Sequence, residues 1–187
     1  MTTRDRILDA AAHVMRTKGL ARATTKEIAK AAELSEAALY KHFQDKTGLF
    51  LAVLKERVPS DLGALLAELR AGEGDVRENL ERVARTALGF YTETFPIAAS
   101  VFSEPTLLAA HRDVLRHRGT GPHLLVEALA GYLAAEREIG RLPASADPRA
   151  AAGLLLGACQ YAVFLGFFTD WPTDPRGIVA ALWSGLG

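Results

Sequence analysis

Residues 150–169, AAAGLLLGACQYAVFLGFFT, carry no charge over a length that would cross the hydrocarbon core of a bilayer as a helix. So apolar a segment must be screened from water by lipid or by the rest of the protein. Its many Ala and Gly residues, Gln160 near its middle and the absence of a Lys/Arg cluster at either end favour protein over lipid. The expectation is a central helix buried on all sides in a helical domain, with no membrane partner. The alternative is a membrane-anchored helical adaptor.

Helical periodicity runs through the remainder, and no alternating strand pattern stands out. Ile7, Leu8, Ala11, Ala12 and Met15 form an apolar stripe that Gly19 ends. Thr24 and Glu27 have capping-box spacing, Ser35 and Asp45 are further N-cap residues, and Pro59 is expected to kink or interrupt the helix after Asp45. LRAGEGD (69–75) is the clearest break; Pro96 and Pro105 are expected to close helices, and GTGP ends another. The fold class is all-α, about nine helices with short loops.

Net charge is zero over 187 residues, but unevenly spread. Up to Val58 the chain has eleven Lys and Arg against seven Asp and Glu, giving +4; the rest has eleven against fifteen, giving −4. Two regions with different partners follow, 1–57 and 58–187. One cysteine, Cys159, excludes an intramolecular disulfide, and neither CxxC nor CxxH spacing occurs; a reducing cytoplasm is the expected compartment. His111, His117 and His123 stand six apart and fall on different helix faces, so neither a metal nor another cofactor is expected. No serine, cysteine or carboxylate pair comes with a base partner or phosphate loop, which argues against an enzyme.

TTKEIAKAA, the break AEL and SEAALYKHF make a helix, a three-residue turn and a helix, with a third helix in front: a helix-turn-helix arrangement. Leu39 and Phe43 share the inner face. Small Ala37 and Ala38 let the second helix approach the major groove, bringing Glu36 and Lys41 within reach of base edges. Tyr40, His42 and Lys46 stand where phosphate donors are needed, and the amides of helices capped by Thr24 and Asp45 add anion contacts. The plain alternative is three packed helices in which Tyr40 and His42 satisfy core hydrogen bonds.

The run TTKEIAKAAELSEAALYKHFQDKTGLF resembles the amino-terminal motif of the TetR family of transcriptional regulators, through its TIA, S-x-A-x-L-Y-x-H-F and F-x-x-K-x-x-L-F elements, over about residues 3–57. The resemblance implies DNA contacts from Thr24 and Lys26, recognition-helix roles for Ser35, Glu36, Ala37 and Lys41, and phosphate clamps at Tyr40, His42 and Lys46. Two positions depart from it: Glu33 stands where the turn usually has Gly, at a cost of about 1 kcal/mol if left-handed, and Gly48 where Glu is common.

The resemblance further implies a carboxy-terminal domain that dimerises and holds a small effector. Gly153, Gly157, Ala162 and Gly166 smooth two faces of the uncharged helix, and with Ile178 and Leu182 of the last helix they are the expected dimer interface, although an ordinary core helix has similar small residues. An aromatic-rich set is read as an apolar pocket: Phe90, Phe95, Phe102 and Tyr132, with His111, Cys159 and Gln160 as sparse polar groups; Tyr91, Tyr161, Phe164, Phe167 and Phe168 belong to the same concentration. Plain core packing is the alternative for each. The expected whole is a homodimeric repressor released from a (pseudo)palindromic double-stranded operator by a small hydrophobic effector; a ligand-independent or activating regulator is the alternative.

Overall fold

The computed structural model describes every residue except 20, 21, 59, 60 and 187 and the side chain of 186, so the expected effect of Pro59 lies outside the described residues. Among them the chain forms ten α-helices and no strand: α1 (Thr3–Lys18), α2 (Thr25–Ala31), α3 (Glu36–Tyr40), α4 (Lys46–Glu56), α5 (Asp61–Glu68), α6 (Val76–Phe102), α7 (Pro105–Arg118), α8 (His123–Glu138), α9 (Pro148–Gly166) and α10 (Pro175–Leu186). They fall into two compact units, Met1–Pro59 with Glu93–Gly119, and Ser60–Thr92 with Thr120–Gly187.

The first unit packs α1 against α2 and α4, α2 against α3, and α4 against α7. Its core joins Ile7, Leu8 and Met15 of α1 to Ile28, Leu39, Phe43, Leu49 and Val53, and takes in Ile97, Val101 and Leu107. Capping fixes where the helices start. Thr2 and Asp5 form a reciprocal capping box at α1, with an Asp where the usual pattern has Glu or Gln. Thr24 accepts from the Glu27 amide, Ser35 from that of Ala38 and Asp45 from that of Gly48. Only half of the box expected at Thr24 forms, because the Glu27 carboxylate pairs with Lys18.

Two arginine links set the register of α1 against the end of α4. Arg4 bonds both carboxylate oxygens of Glu56 at 2.7 and 2.8 Å, and Arg57 donates to Asp9 at 2.6 Å and Asp5 at 3.0 Å. Hydrogen bonds from Thr2, and then from Arg57, hold the Asp5 carboxyl at about 2.

The helix-turn-helix turn closes as a Schellman motif, with the Leu34 amide donating to Ala29 O and that of Glu33 to Lys30 O. Glu33 therefore takes the left-handed position, at φ 57°. The same motif ends α8, with amides of Arg141 and Gly140 donating to Glu136 O and Arg137 O, and there glycine supplies the positive φ.

In the second unit α9 packs on α8 and α10, and α5 on α8, around Leu62, Leu80, Val83, Leu129, Leu133, Leu155, Leu156 and Val179. A buried polar cluster fastens the 69–75 break. Asn79 Nδ2 donates to Glu73 O and Tyr132 Oη, both at 3.0 Å. Glu136, fully buried, accepts from the Gly72 amide at 3.3 Å and pairs with Arg141, which also donates to Gly74 O.

Two expectations are corrected. Pro96 does not close a helix: α6 runs from Val76 to Phe102 through it. Proline forfeits one donor, here the one due to Thr92 O, and the apolar residues on either side keep the helix packed. The uncharged segment is not buried on all sides either. One stripe of α9, from Ala151 to Val163, faces the core, whereas Leu154 is 65% and Tyr161 61% exposed. In length and apolarity the helix would suit a bilayer, as the core helices of many globular proteins would.

The paired Schellman turns generate a reciprocal prediction. Glu33→Gly should stabilise the protein by about 0.5–1 kcal/mol, since it relieves the left-handed residue and sacrifices only a 3.9 Å exposed contact with Arg6. Gly140→Ala should cost about 1 kcal/mol from backbone strain alone, because an added Cβ there meets nothing within 4 Å. Urea unfolding midpoints of the two variants, moving in opposite directions, check it.

Candidate nucleic-acid interface

Helix α3 has only five residues, about one and a half turns, and is too short to persist by its own hydrogen bonds. Ser35 caps its start, and Leu39 (0% exposed) and Phe43 (7%) bury its inner side. Once that side is fixed, the outer one is fixed with it.

All nine residues singled out for DNA lie exposed: Thr24, Lys26, Ser35, Glu36, Ala37, Tyr40, Lys41, His42 and Lys46. That removes the core-hydrogen-bond alternative for Tyr40 and His42. Ser35 caps the start of α3 as expected, but the helix ends sooner than expected: Lys41 is its C-cap, and His42 and Phe43 follow in a turn, their amides donating to Leu39 O. The helix is thus shorter than the motif, with Phe43 buried just beyond its end.

The surface carries donors and one acceptor in a defined order. Thr24 Oγ1 accepts from the Glu27 amide, leaving its hydroxyl hydrogen to point outward. Lys46 opens α4, whose first amides are available around the Asp45 cap, and its ammonium lies 5.2 Å from the Phe50 ring centroid. Arg4 stacks similarly on Phe43, at 5.4 Å. Thr25, a residue the motif reading passed over, donates to Glu36 Oε1 at 2.6 Å and accepts from Tyr40 Oη at 3.4 Å. The doublet Thr24-Thr25 signalled one cap; only the folded turn shows the second hydroxyl facing α3.

The residues expected to bind an effector are not brought together within either unit. Phe95, Phe102 and His111 belong to the first unit, and Phe90, Tyr132, Cys159 and Gln160 to the second, since α6 continues past Pro96. Tyr132 is committed to Asn79, and burial pushes its phenol up to about 12. Cys159 is fully buried with its thiol against Ala84 O at 3.7 Å, and burial raises it to about 12, so it is no nucleophile. Burial also lowers the His111 pKa. Phe102 is 70% exposed, and Tyr161, Phe164, Phe167 and Phe168 are surface aromatics instead of pocket lining; Tyr161 stacks on Phe164 with centroids 6.2 Å apart. A concave site of about 370 Å³ lies instead in the first unit, lined by Arg6, Asp9, His13 and Glu33 among others.

Of the expected dimer residues, Gly153, Gly157 and Gly166 are exposed, and Ile178 and Leu182 half-buried. Ala162 is corrected: it faces the chain's own core, one helical turn from buried Cys159.

Residues 7–53 match the family model for bacterial regulatory proteins, tetR family. An HTH-type transcriptional regulator of Bacillus subtilis strain 168, YvkB, itself uncharacterised, is 33% identical over 138 residues, covering 74% of this chain and 69% of that one. Among solved structures, a regulator from Saccharomonospora viridis in complex with choline superposes with a TM-score of 0.75 at 21% identity, covering 97% of this chain and 93% of that one. FadR from Bacillus subtilis in complex with stearoyl-CoA gives 0.65 at 18% identity, covering 97% and 96%.

The family resemblance expects Lys46 to anchor on phosphate and Ala37 to face the base edges, and the two roles are separable. Lys46→Ala should weaken DNA binding almost uniformly across sequences and lower the salt-dependence slope by about one per site, since phosphate contacts carry no sequence information. Ala37→Leu should abolish preference by holding α3 off the groove floor. Affinities over a salt series, for operator and for scrambled DNA, check both.

Proposed function

The chain belongs to the TetR family of bacterial regulatory proteins and is a DNA-binding transcriptional regulator, and from that premise we propose that it is a cytoplasmic homodimeric repressor that a small apolar effector releases from its operator. The observation that carries the reading is the exposed face of α3, Glu36 and Ala37 outward with Leu39 locked inward. In function we divide the chain at 57/58, into a DNA-reading head and an effector-binding and dimerising remainder.

Two glycines support the dimer. Gly153 and Gly157 sit mid-helix in α9, where each costs about 1 kcal/mol relative to Ala, and an added Cβ at either meets nothing within 4 Å. Among the described residues nothing packs within 4 Å of a Cβ at either position, which leaves this side of α9 smooth enough for a second copy to cross closely, with Leu154 and Tyr161 beside the crossing and α10 alongside. Two heads then meet a (pseudo)palindromic operator with half-sites about one helical turn, or a multiple of it, apart.

For the effector, the support is chemical. The region after Val58 carries −4, which disfavours anions, and Phe90 packs edge-on to Tyr91 at 5.3 Å on α6. A structural neighbour is in complex with choline and another with stearoyl-CoA, so this architecture accepts ligands of different size and charge. We assign the apolar contact to Phe90 and a polar one to Gln160. The alternative is a regulator that ignores ligands or activates, and its mark is DNA affinity indifferent to every bound compound.

Gly157→Leu should leave folding intact, because the side chain enters open space within one chain, and should destabilise the dimer by about 1–3 kcal/mol. Sedimentation should show more monomer and operator titration a parallel loss; an unchanged dimer removes α9 from the interface. A compound found by thermal shift should lower operator affinity 5- to 150-fold, a coupling of about 1–3 kcal/mol, and operator should lower the compound's affinity by the same factor. Titrations of each with and without the other check that reciprocity.

A further inference from the structure

We propose that Thr25 is a positioning residue for base readout, holding the Glu36 carboxylate in place so that it accepts a hydrogen bond from one cytosine amino group in each half-site. The proposal rests on the reading of α3 as the DNA-reading helix. Glu36 is the first residue of α3 and exposed, and its side chain has the rotamer freedom that usually blurs recognition. Thr25, on the neighbouring helix and partly buried, donates to Glu36 Oε1 at 2.6 Å. That is the length of a charge-assisted bond from a hydroxyl to a carboxylate.

Proton accounting makes the arrangement directional. The one Thr25 hydroxyl hydrogen goes to Glu36, so its oxygen is left to accept, and it accepts from Tyr40 Oη at 3.4 Å. Tyr40 thereby spends its proton on Thr25, by a long bond that is readily exchanged for a phosphate oxygen. Thr25 keeps its donation to Glu36 after that exchange. One hydroxyl fixed by α2 therefore orients a base reader and parks a phosphate donor on the same short helix.

An acid on a DNA-facing surface is unfavourable against phosphate unless it meets a donor. Cytosine N4 suits it, whereas N7 and O6 of guanine repel it and adenine sets its N6 donor beside the N7 acceptor. Held by Thr25, one carboxylate oxygen is engaged and the other, Oε2, is left for the base. The loss of one well-oriented base contact of this type corresponds to roughly 5- to 100-fold in discrimination.

The test is selection from random duplexes by the full-length protein and by Thr25→Val, Thr25→Ser, Glu36→Gln and Thr25→Val/Glu36→Gln, with melting temperatures measured alongside. Glu36→Gln should move one position per half-site from cytosine towards adenine, the base a glutamine reads. Thr25→Val should flatten preference at that same position roughly five-fold or more, Thr25→Ser should retain it, and the double variant should match Glu36→Gln alone. Thr25→Val weakening all sequences equally, or altering a different position from Glu36→Gln, would overturn the proposal and leave Thr25 a phosphate or packing residue. If Glu36→Gln changes no position while the wild type still selects a site, Glu36 reads no base and the proposal falls, with the DNA-reading role of α3 intact. Wild-type protein selecting no sequence at all overturns the reading beneath it.

Discussion

Burial of Leu39 is the constraint on which the DNA-facing surface depends. A five-residue helix has too few internal hydrogen bonds to outweigh the entropy of fixing its backbone, so α3 exists because Leu39 and Phe43 join the core built by Ile7, Met15, Ile28 and Leu49. Burying a leucine contributes about 1.5–3 kcal/mol, and rotation of α3 by one residue would sacrifice it. The same anchor that forms the helix therefore sets which residues look outward. Caps at Thr24, Ser35 and Asp45 finish the job by fixing where each neighbouring helix begins.

Local strain in the head is placed where geometry, not composition, demands it. Closing α2 as a Schellman turn lets Leu34 pack against the core, and that closure requires a left-handed residue at position 33 whatever its side chain. Glu33 accepts the conformation at a cost that the packed turn offsets. Nearby, Arg4 and Arg57 link α1 to the end of α4 through Glu56, Asp5 and Asp9. Such partly exposed pairs contribute little individually; together they favour one register of α1 on α4.

In the second unit the polar cluster of Asn79, Tyr132, Glu136 and Arg141 holds the 69–75 break on α6 and α8. A fully buried carboxylate is costly unless paired, so this cluster is an all-or-none fastening. It also accounts for Tyr132, whose hydroxyl is consumed inside the unit. Helix α9 divides its sides differently: branched and small residues inward, two glycines, Leu154 and Tyr161 outward.

The all-α class, the caps and the exposure of the Thr24-to-Lys46 surface were legible in the sequence, because each follows from residue types at fixed short spacings, whereas the strain at Glu33 was signalled only by the family resemblance, which has Gly there. Local rules reach only about one turn of helix, and the misreadings lie beyond that distance. Pro96 marks a helix end by its local chemistry, yet tertiary packing on both sides carried α6 through it. Aromatic side chains counted along the chain looked like one pocket; the fold distributed them between two units and left Tyr161 and Phe168 on the surface. Ala162 shared the small size of its glycine neighbours, and only the direction of its Cβ turned it into the core. The Thr25–Glu36 bond joins residues eleven apart across a turn, and no periodicity encodes it. Sequence by itself determined the helical class, where the capped helices begin and which residues of the head alternate between an inner and an outer side, since those are local questions. Which side of each long helix is buried, and which hydroxyl meets which carboxylate, was decided by tertiary structure, because both depend on where distant segments come to rest.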